Sequence, residues 1–284
     1  MLYLLLAVAS SAAMAMVLKC FQAQTGNRYG ILLGNYLTCV VISVWMLPDK
    51  GLILSGSWST LGFGIVGGVF FVLGLICMQS SIQTNGAGLT SAFARLGLIV
   101  ALAVSVLLFR ERPTVLQGLG MALAVAAIIV LRADGDSNPQ RKGGHGFGLL
   151  LLTLAACGCA DAMAKIFEGC GSRAEDKLYF FWLFVTAVLL CAVLALVEGK
   201  RTKTRIRPGA FAAGILVGIP NYFSSYLLLR ALRVFPATVA YPTYSTATIL
   251  LVMGLSALFF RERLSRRQWV GVLLILAALA LLNQ

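Results

Sequence analysis

A single histidine, ten acidic side chains and a charged content of 12% leave this 284-residue sequence with little of what soluble enzymes are built from. His145 stands alone, so no His-Glu-x-x-His zinc site can be assembled. Neither a Gly-x-Ser-x-Gly elbow nor a phosphate-binding glycine loop occurs. Asp161 is the sole acid deep inside an apolar run, which excludes a paired-carboxylate intramembrane protease. No enzymatic activity is expected, and neither a cofactor nor a metal. The seven cysteines are odd in number and lie mostly inside apolar runs, which argues against a disulfide framework. Cys157 and Cys159 are too close in sequence to share a helix face. The cysteines read as apolar packing.

Apolar length is what the sequence has. Its residues are 60% hydrophobic, and runs of about eighteen or more recur, each long enough as a helix to cross a hydrocarbon core of roughly 30 Å. The runs are continuous rather than alternating, so they read as helices and not as strands of a barrel. Ten spans are expected, near 2–22, 28–47, 60–83, 88–109, 115–132, 146–168, 177–198, 209–233, 237–260 and 267–283. The first begins at Met1 but nine others follow it, so it reads as a span and not as a signal peptide. The fold class is an all-α polytopic membrane protein. The formal charge of +13 sits mostly in short loops, where Lys and Arg set topology and meet anionic lipid. Membrane lipid, not nucleic acid, is the partner this implies.

The chain repeats itself. Phe109-Arg110-Glu111-Arg112 and Phe260-Arg261-Glu262-Arg263 each close one apolar run and open another, and each is followed by a Gln-and-Gly segment, Gln117-Gly118 and Gln268-Trp269-Val270-Gly271. Glu111 and Glu262 fall at helix starts or turns and read as structural, accepting backbone N–H bonds. The segment Ala13 to Lys19 matches Cys159 to Lys165, and Gly64 and Gly68 match Gly214 and Gly218. Those small-xxx-small pairs let helix backbones approach closely. The copies are 1–132 and 146–284, with the polar stretch 133–145 as linker. Five spans per copy is an odd number, so the second copy is inverted, which is a transporter architecture.

On these hinges and glycines the chain resembles the drug/metabolite transporter superfamily, in its EamA-type, ten-helix form. The resemblance covers essentially the whole chain. It implies a central cavity among spans one, three, four, six, eight and nine, and a small-molecule substrate moved across the cytoplasmic (inner) membrane. A coupling proton or ion would be a further partner, in a monomer or homodimer. It also implies termini in the cytoplasm. The loops disagree: those on the other side, with five basic residues between Lys200 and Arg207 and four between Arg261 and Arg267, hold about twice as many Lys and Arg, which puts the termini outside.

A charge at a helix centre costs about 2.5–3.5 kcal/mol on insertion scales, so Arg95, Asp161 and Lys165 each need a reason. Asp161 and Lys165 are at i,i+4 spacing and could pair. Lys165 also lies near its span end and could snorkel. Arg95 has no acid in its own span, and its expected depth differs from that of Asp161 by roughly 10 Å, too far for a direct ion pair unless a shift of one turn in depth restores it. It either bonds carbonyls and Tyr hydroxyls or offers its planar fork to a substrate carboxylate. The expected lining adds Phe71 and Gln79 in span three, Asn221 and Tyr222 beside the kinking Pro220 in span eight, and Tyr241 and Tyr244 in span nine. Pro220 would leave a carbonyl free in the cavity.

Three readings follow. One is a carrier of a small amphoteric metabolite such as an amino acid, with Arg95 on its carboxylate and Asp161 on its ammonium. A second is an organic-cation carrier built on Asp161 and an aromatic cage. The third is a lipid-linked-sugar flippase or a non-transporting scaffold.

Overall fold

The computed structural model describes residues 2–21, 29–47, 49–51, 53, 56–109, 114–116, 118–120, 122–123, 126, 145–203, 205–232, 234, 237–260 and 266–282. Most of the fifth expected span, the linker up to residue 144 and the charged parts of both hinges, with Glu111 and Glu262, lie outside the described residues. The described elements are α1 (Leu2–Cys20), α2 (Tyr29–Met46), α3 (Trp58–Asn85), α4 (Ala87–Leu96), α5 (Leu98–Phe109), α6 (His145–Cys170), α7 (Asp176–Thr202), α8 (Pro208–Leu232), α9 (Ala237–Phe260) and α10 (Arg266–Leu282). A 3-10 turn, Arg173–Glu175, precedes α7. Seven of the helices, α1 to α3 and α6 to α9, contain a stretch long and apolar enough to cross a membrane. The protein is an all-α polytopic membrane protein of two inverted repeats.

The fourth span is where the expectation of one continuous helix fails. It divides into α4 and α5 at Gly97. A side chain on Gly97 would lie 2.8 Å from both the Gly158 nitrogen and the Leu154 oxygen of α6. The two backbones therefore touch, and at the contact the α-helical ladder gives way to a tighter bond, with Val100 N–H donating to the Gly97 carbonyl at 2.8 Å. The entry to α4 is as tight. Gly86 joins it to α3 alone, at φ 83° and ψ 162°, a conformation essentially reserved for glycine. Asn85 Nδ2 braces this corner by donating to Ser81 Oγ and to the Gly146 carbonyl of α6.

The matched glycine pairs do what their spacing predicts, and each does it against the other repeat. On α3, a Cβ at Gly64 would sit 2.6 Å from Trp182 Cβ, and one at Gly68 2.6 Å from the Leu183 oxygen, both on α7. On α8, a Cβ at Gly214 would strike the Ile31 oxygen, and one at Gly218 would sit 2.5 Å from the Asn35 oxygen, both on α2. Other contacts are reciprocal in the same way. Helix α1 packs on α8 as α6 packs on α3, and α1 packs on α9 as α6 packs on α4 and α5. An exchange of α1, α2, α3 with α6, α7, α8 thus maps the contact pattern onto itself.

At one end of the α3–α7 contact, Glu175 fastens the helix starts together. Its carboxylate accepts from the Ser57 N–H at 3.2 Å, the Ser57 hydroxyl at 2.6 Å and the Thr60 hydroxyl. Ser57 is the N-cap of α3, and its hydroxyl also accepts from Thr60 N–H. These hydrogen bonds favour the ionised form and hold the Glu175 carboxyl below its usual range. Deeper in, Tyr36, Phe71, Phe184 and Tyr222 form an aromatic column, with the Tyr36 hydroxyl donating to the Phe71 carbonyl at 3.1 Å.

Candidate functional site

Residues three and four apart on a helix share a face, and six helices turn such faces toward one cavity of about 140 Å³. Helix α1 contributes Ser11, Met14 and Ala15, and α6 contributes Cys157, Ala160 and Asp161. The alignment that pairs Lys19 with Lys165 pairs these two sets position for position. Helix α3 contributes Phe71, Gly74, Leu75 and Met78, and α8 contributes Asn221, Ser224, Ser225 and Leu228. The alignment that pairs Gly64 with Gly214 matches these as well. Helices α4 and α9 complete the lining with Ser91, Ala94 and Arg95, and with Tyr244, Thr248 and Val252. The cavity therefore lies where the repeats meet, between equivalent surfaces of different chemistry.

Arg95 and Asp161 both reach it, so the expected difference in depth does not separate them. Among the described residues no ion pair within 4 Å joins them, and none joins Asp161 to Lys165. Lys165 Nζ instead meets Glu168 at 3.8 Å, one turn nearer the helix end and better solvated. Asp161 is left with no hydrogen-bond donor among the described residues, facing the open space. Arg95 donates to the Ser11 hydroxyl, and its guanidinium lies 4.4 Å from the centre of the Tyr244 ring. Its supports are thus a serine and an aromatic face rather than carbonyls and Tyr hydroxyls. The Tyr244 hydroxyl is itself bonded to Ser224 Oγ at 2.7 Å. This chain of contacts runs from α1 through α4 and α9 to α8 and fixes the guanidinium at the cavity wall.

Of the other expected residues, Phe71 and Asn221 line the cavity. Asn221 is oriented from behind, where its Nδ2 donates to Asn35 Oδ1 at 3.1 Å. Gln79 is buried but outside the lining. Tyr222 turns away into the aromatic column, stacking on Tyr226 at 6.0 Å and lying 5.9 Å from Phe184. The Tyr241 side chain lies outside the described residues. Pro220 sits inside α8 and is not among the lining residues. Ser11, Cys157, Ser224 and Thr248 were not expected. Extending the match of Ala13–Lys19 with Cys159–Lys165 by two residues toward each helix start would have reached Ser11 and Cys157.

Comparison with known proteins gives three findings. The model of the EamA-like transporter family matches residues 1–133 and again 146–284. The Multidrug resistance protein EbrA of Bacillus licheniformis is 30% identical over 69 residues, which are 24% of this chain. The match spans 66% of that relative's length. A solved crystal structure superposes with a TM-score of 0.64 at 16% identity, covering 99% of this chain and 94% of the other, a likeness of fold.

Proposed function

From the premise that the chain belongs to the EamA-like transporter family, and so is a membrane transporter, we propose that it is a secondary transporter of a small amphoteric metabolite, amino-acid-like in its charges. The repeats, taken as 1–132 and 146–284 with the linker 133–145 between them, would expose the cavity alternately to the two sides of the cytoplasmic membrane. Arg95, Asp161, Asn221, Tyr244 and Phe71 form the substrate site in this reading.

One observation carries it. Two opposite charges face one cavity without neutralising each other in a contact pair. Each is expensive to keep in a membrane interior, and a molecule with a carboxylate at one end and an ammonium at the other would satisfy both. The guanidinium presents a planar fork to a carboxylate, and its bracing by Ser11 and Tyr244 reduces the ordering cost of binding. The similarity to a protein named for multidrug resistance favours the organic-cation reading. Against it, Arg95 already lies over the Tyr244 ring, the face a cationic ligand would need.

Binding and proteoliposome uptake of amino acids, their deaminated analogues and amines separate the two. Arg95→Lys keeps the charge but loses the fork, and should weaken amino-acid binding roughly ten- to hundred-fold while the protein still folds. Asp161→Asn should weaken binding of the amino acid and spare the deaminated analogue. Abolition of amine transport by Asp161→Asn, with Arg95→Lys silent, would establish the cation carrier instead.

A further inference from the structure

The repeats present equivalent positions to the cavity with opposite chemistry, and this difference specifies more of the ligand than its charges do. Where α8 carries Asn221, Ser224 and Ser225, α3 carries Phe71, Gly74 and Leu75 at the matching positions. Resting on the amphoteric reading above, we infer that the substrate is an α-amino acid with an apolar side chain, seated along the α3 stripe of Phe71, Leu75 and Met78. The amino acid's own carboxylate and ammonium meet Arg95 and Asp161.

The polar inventory supports this. A polar side chain on a ligand needs protein partners that are still free, since each unmet group loses its water without replacement. Asn221 already donates to Asn35, Ser224 already shares a hydrogen bond with Tyr244, and Ser11 already accepts from Arg95. The hydroxyls of Ser91 and Thr248 belong to lining residues but are buried out of contact with the open space. On the α8 wall Asn221 and Ser224 are thus committed to α2 and to Tyr244, and Ser225 carries the one lining hydroxyl there that is not so engaged. The α3 stripe offers only carbon and sulfur surface, continued by Val252 of α9.

Size agrees. A water needs on the order of 10–15 Å³ of such space, so about 140 Å³ holds a metabolite of roughly ten non-hydrogen atoms. Leucine and methionine fall in that range, and nucleosides exceed it. Gly74 keeps the stripe open where α3 meets α6, since a Cβ there would already lie 3.3 Å from Cys157 Sγ.

The test is calorimetric titration of the detergent-purified full chain with L-leucine, L-methionine, L-serine and L-glutamine, alongside 4-methylpentanoate and isoamylamine. Leucine and methionine should bind roughly ten- to hundred-fold more tightly than serine, the gain expected from burying an apolar side chain. Leu75→Ser, which places on α3 the residue found at the matching position of α8, should shrink that ratio. Ser225→Leu tests the same ratio from the other wall, away from the aromatic column, and should preserve or widen it. If serine or glutamine binds as well as leucine, the apolar assignment is overturned while the amphoteric reading stands. If isoamylamine binds and no amino acid does, both fall.

Discussion

Adding one methyl group at the seam between α3 and α7 tests the inter-repeat packing most directly. Gly62, Gly64 and Gly68 lie on the same helix, yet a Cβ at Gly62 meets nothing within 4 Å, whereas at Gly64 and Gly68 it falls 2.6 Å from Trp182 Cβ and from the Leu183 oxygen. Alanine is intrinsically better than glycine in a helix interior by about 1 kcal/mol. Gly62→Ala should therefore be neutral or stabilising by up to that amount. Overpacking costs about 1–3 kcal/mol, and at Gly68 the obstructing atom is backbone, which cannot rotate aside, so the upper end applies. Gly68→Ala should lose about 2 kcal/mol net, a separation of roughly 3 kcal/mol from Gly62→Ala. At about 2 °C per kcal/mol for a chain of this size, the two Tm values should differ by on the order of 6 °C. Thermal unfolding of each variant in one detergent, followed by size-exclusion profile, measures this. Gly218→Ala on α8 should behave like Gly68→Ala. Equal Tm values for Gly62→Ala and Gly68→Ala would refute the close crossing and the reciprocity built on it.

The remaining predictions concern single contacts. Glu175 has a folded-state pKa below the usual 4.5, so its contribution is present above that value and is lost as pH falls through the depressed one. A Tm-against-pH series should accordingly show Glu175→Gln less stable than wild type above pH 4.5, with the two curves converging in more acid solution. Tyr244→Phe removes the bond to Ser224 but leaves the ring beneath Arg95, so calorimetry should show stability falling by about 1 kcal/mol with substrate affinity largely kept. Gly86→Ala forces a side chain into a glycine conformation and should cost about 1–3 kcal/mol by thermal unfolding. Glu168→Gln removes an exposed i,i+3 pair and should change stability by less than about 1 kcal/mol in the same assay.

Much of the architecture was legible because bilayer thickness turns it into a one-dimensional signal. Apolar run length places the spans, and the twin hinges and glycine pairs expose the repeat. Small-xxx-small spacing marked Gly64, Gly68, Gly214 and Gly218 as contact points, but nothing local names Trp182 or Ile31 as what they touch. The break at Gly97 was hidden for the same reason, since its cause, the backbone of Gly158, lies in the other half of the chain. For Asp161 and Lys165 the helical spacing rule was correct and insufficient. Glu168 satisfies it equally at i+3, and the more exposed carboxylate takes the lysine because both charges keep more of their water there. Of the partners of Arg95, Ser11 was missed because an unpaired cation directs attention to acids, carbonyls and tyrosine hydroxyls, while Tyr244, expected in the lining, offers its ring face instead of its hydroxyl.

The two glycine seams also bear on how the protein is made. The groove of α3 at Gly64 and Gly68 is closed not by α2 or α4 but by α7, which begins only at Asp176. At ribosomal speeds of roughly 5–20 residues per second, α3 waits on the order of ten seconds in the bilayer before that helix emerges. During this interval the groove at Gly64 and Gly68 is covered by lipid tails or by the insertion machinery. The amino-terminal half is thus a half-finished joint until the carboxy-terminal half arrives.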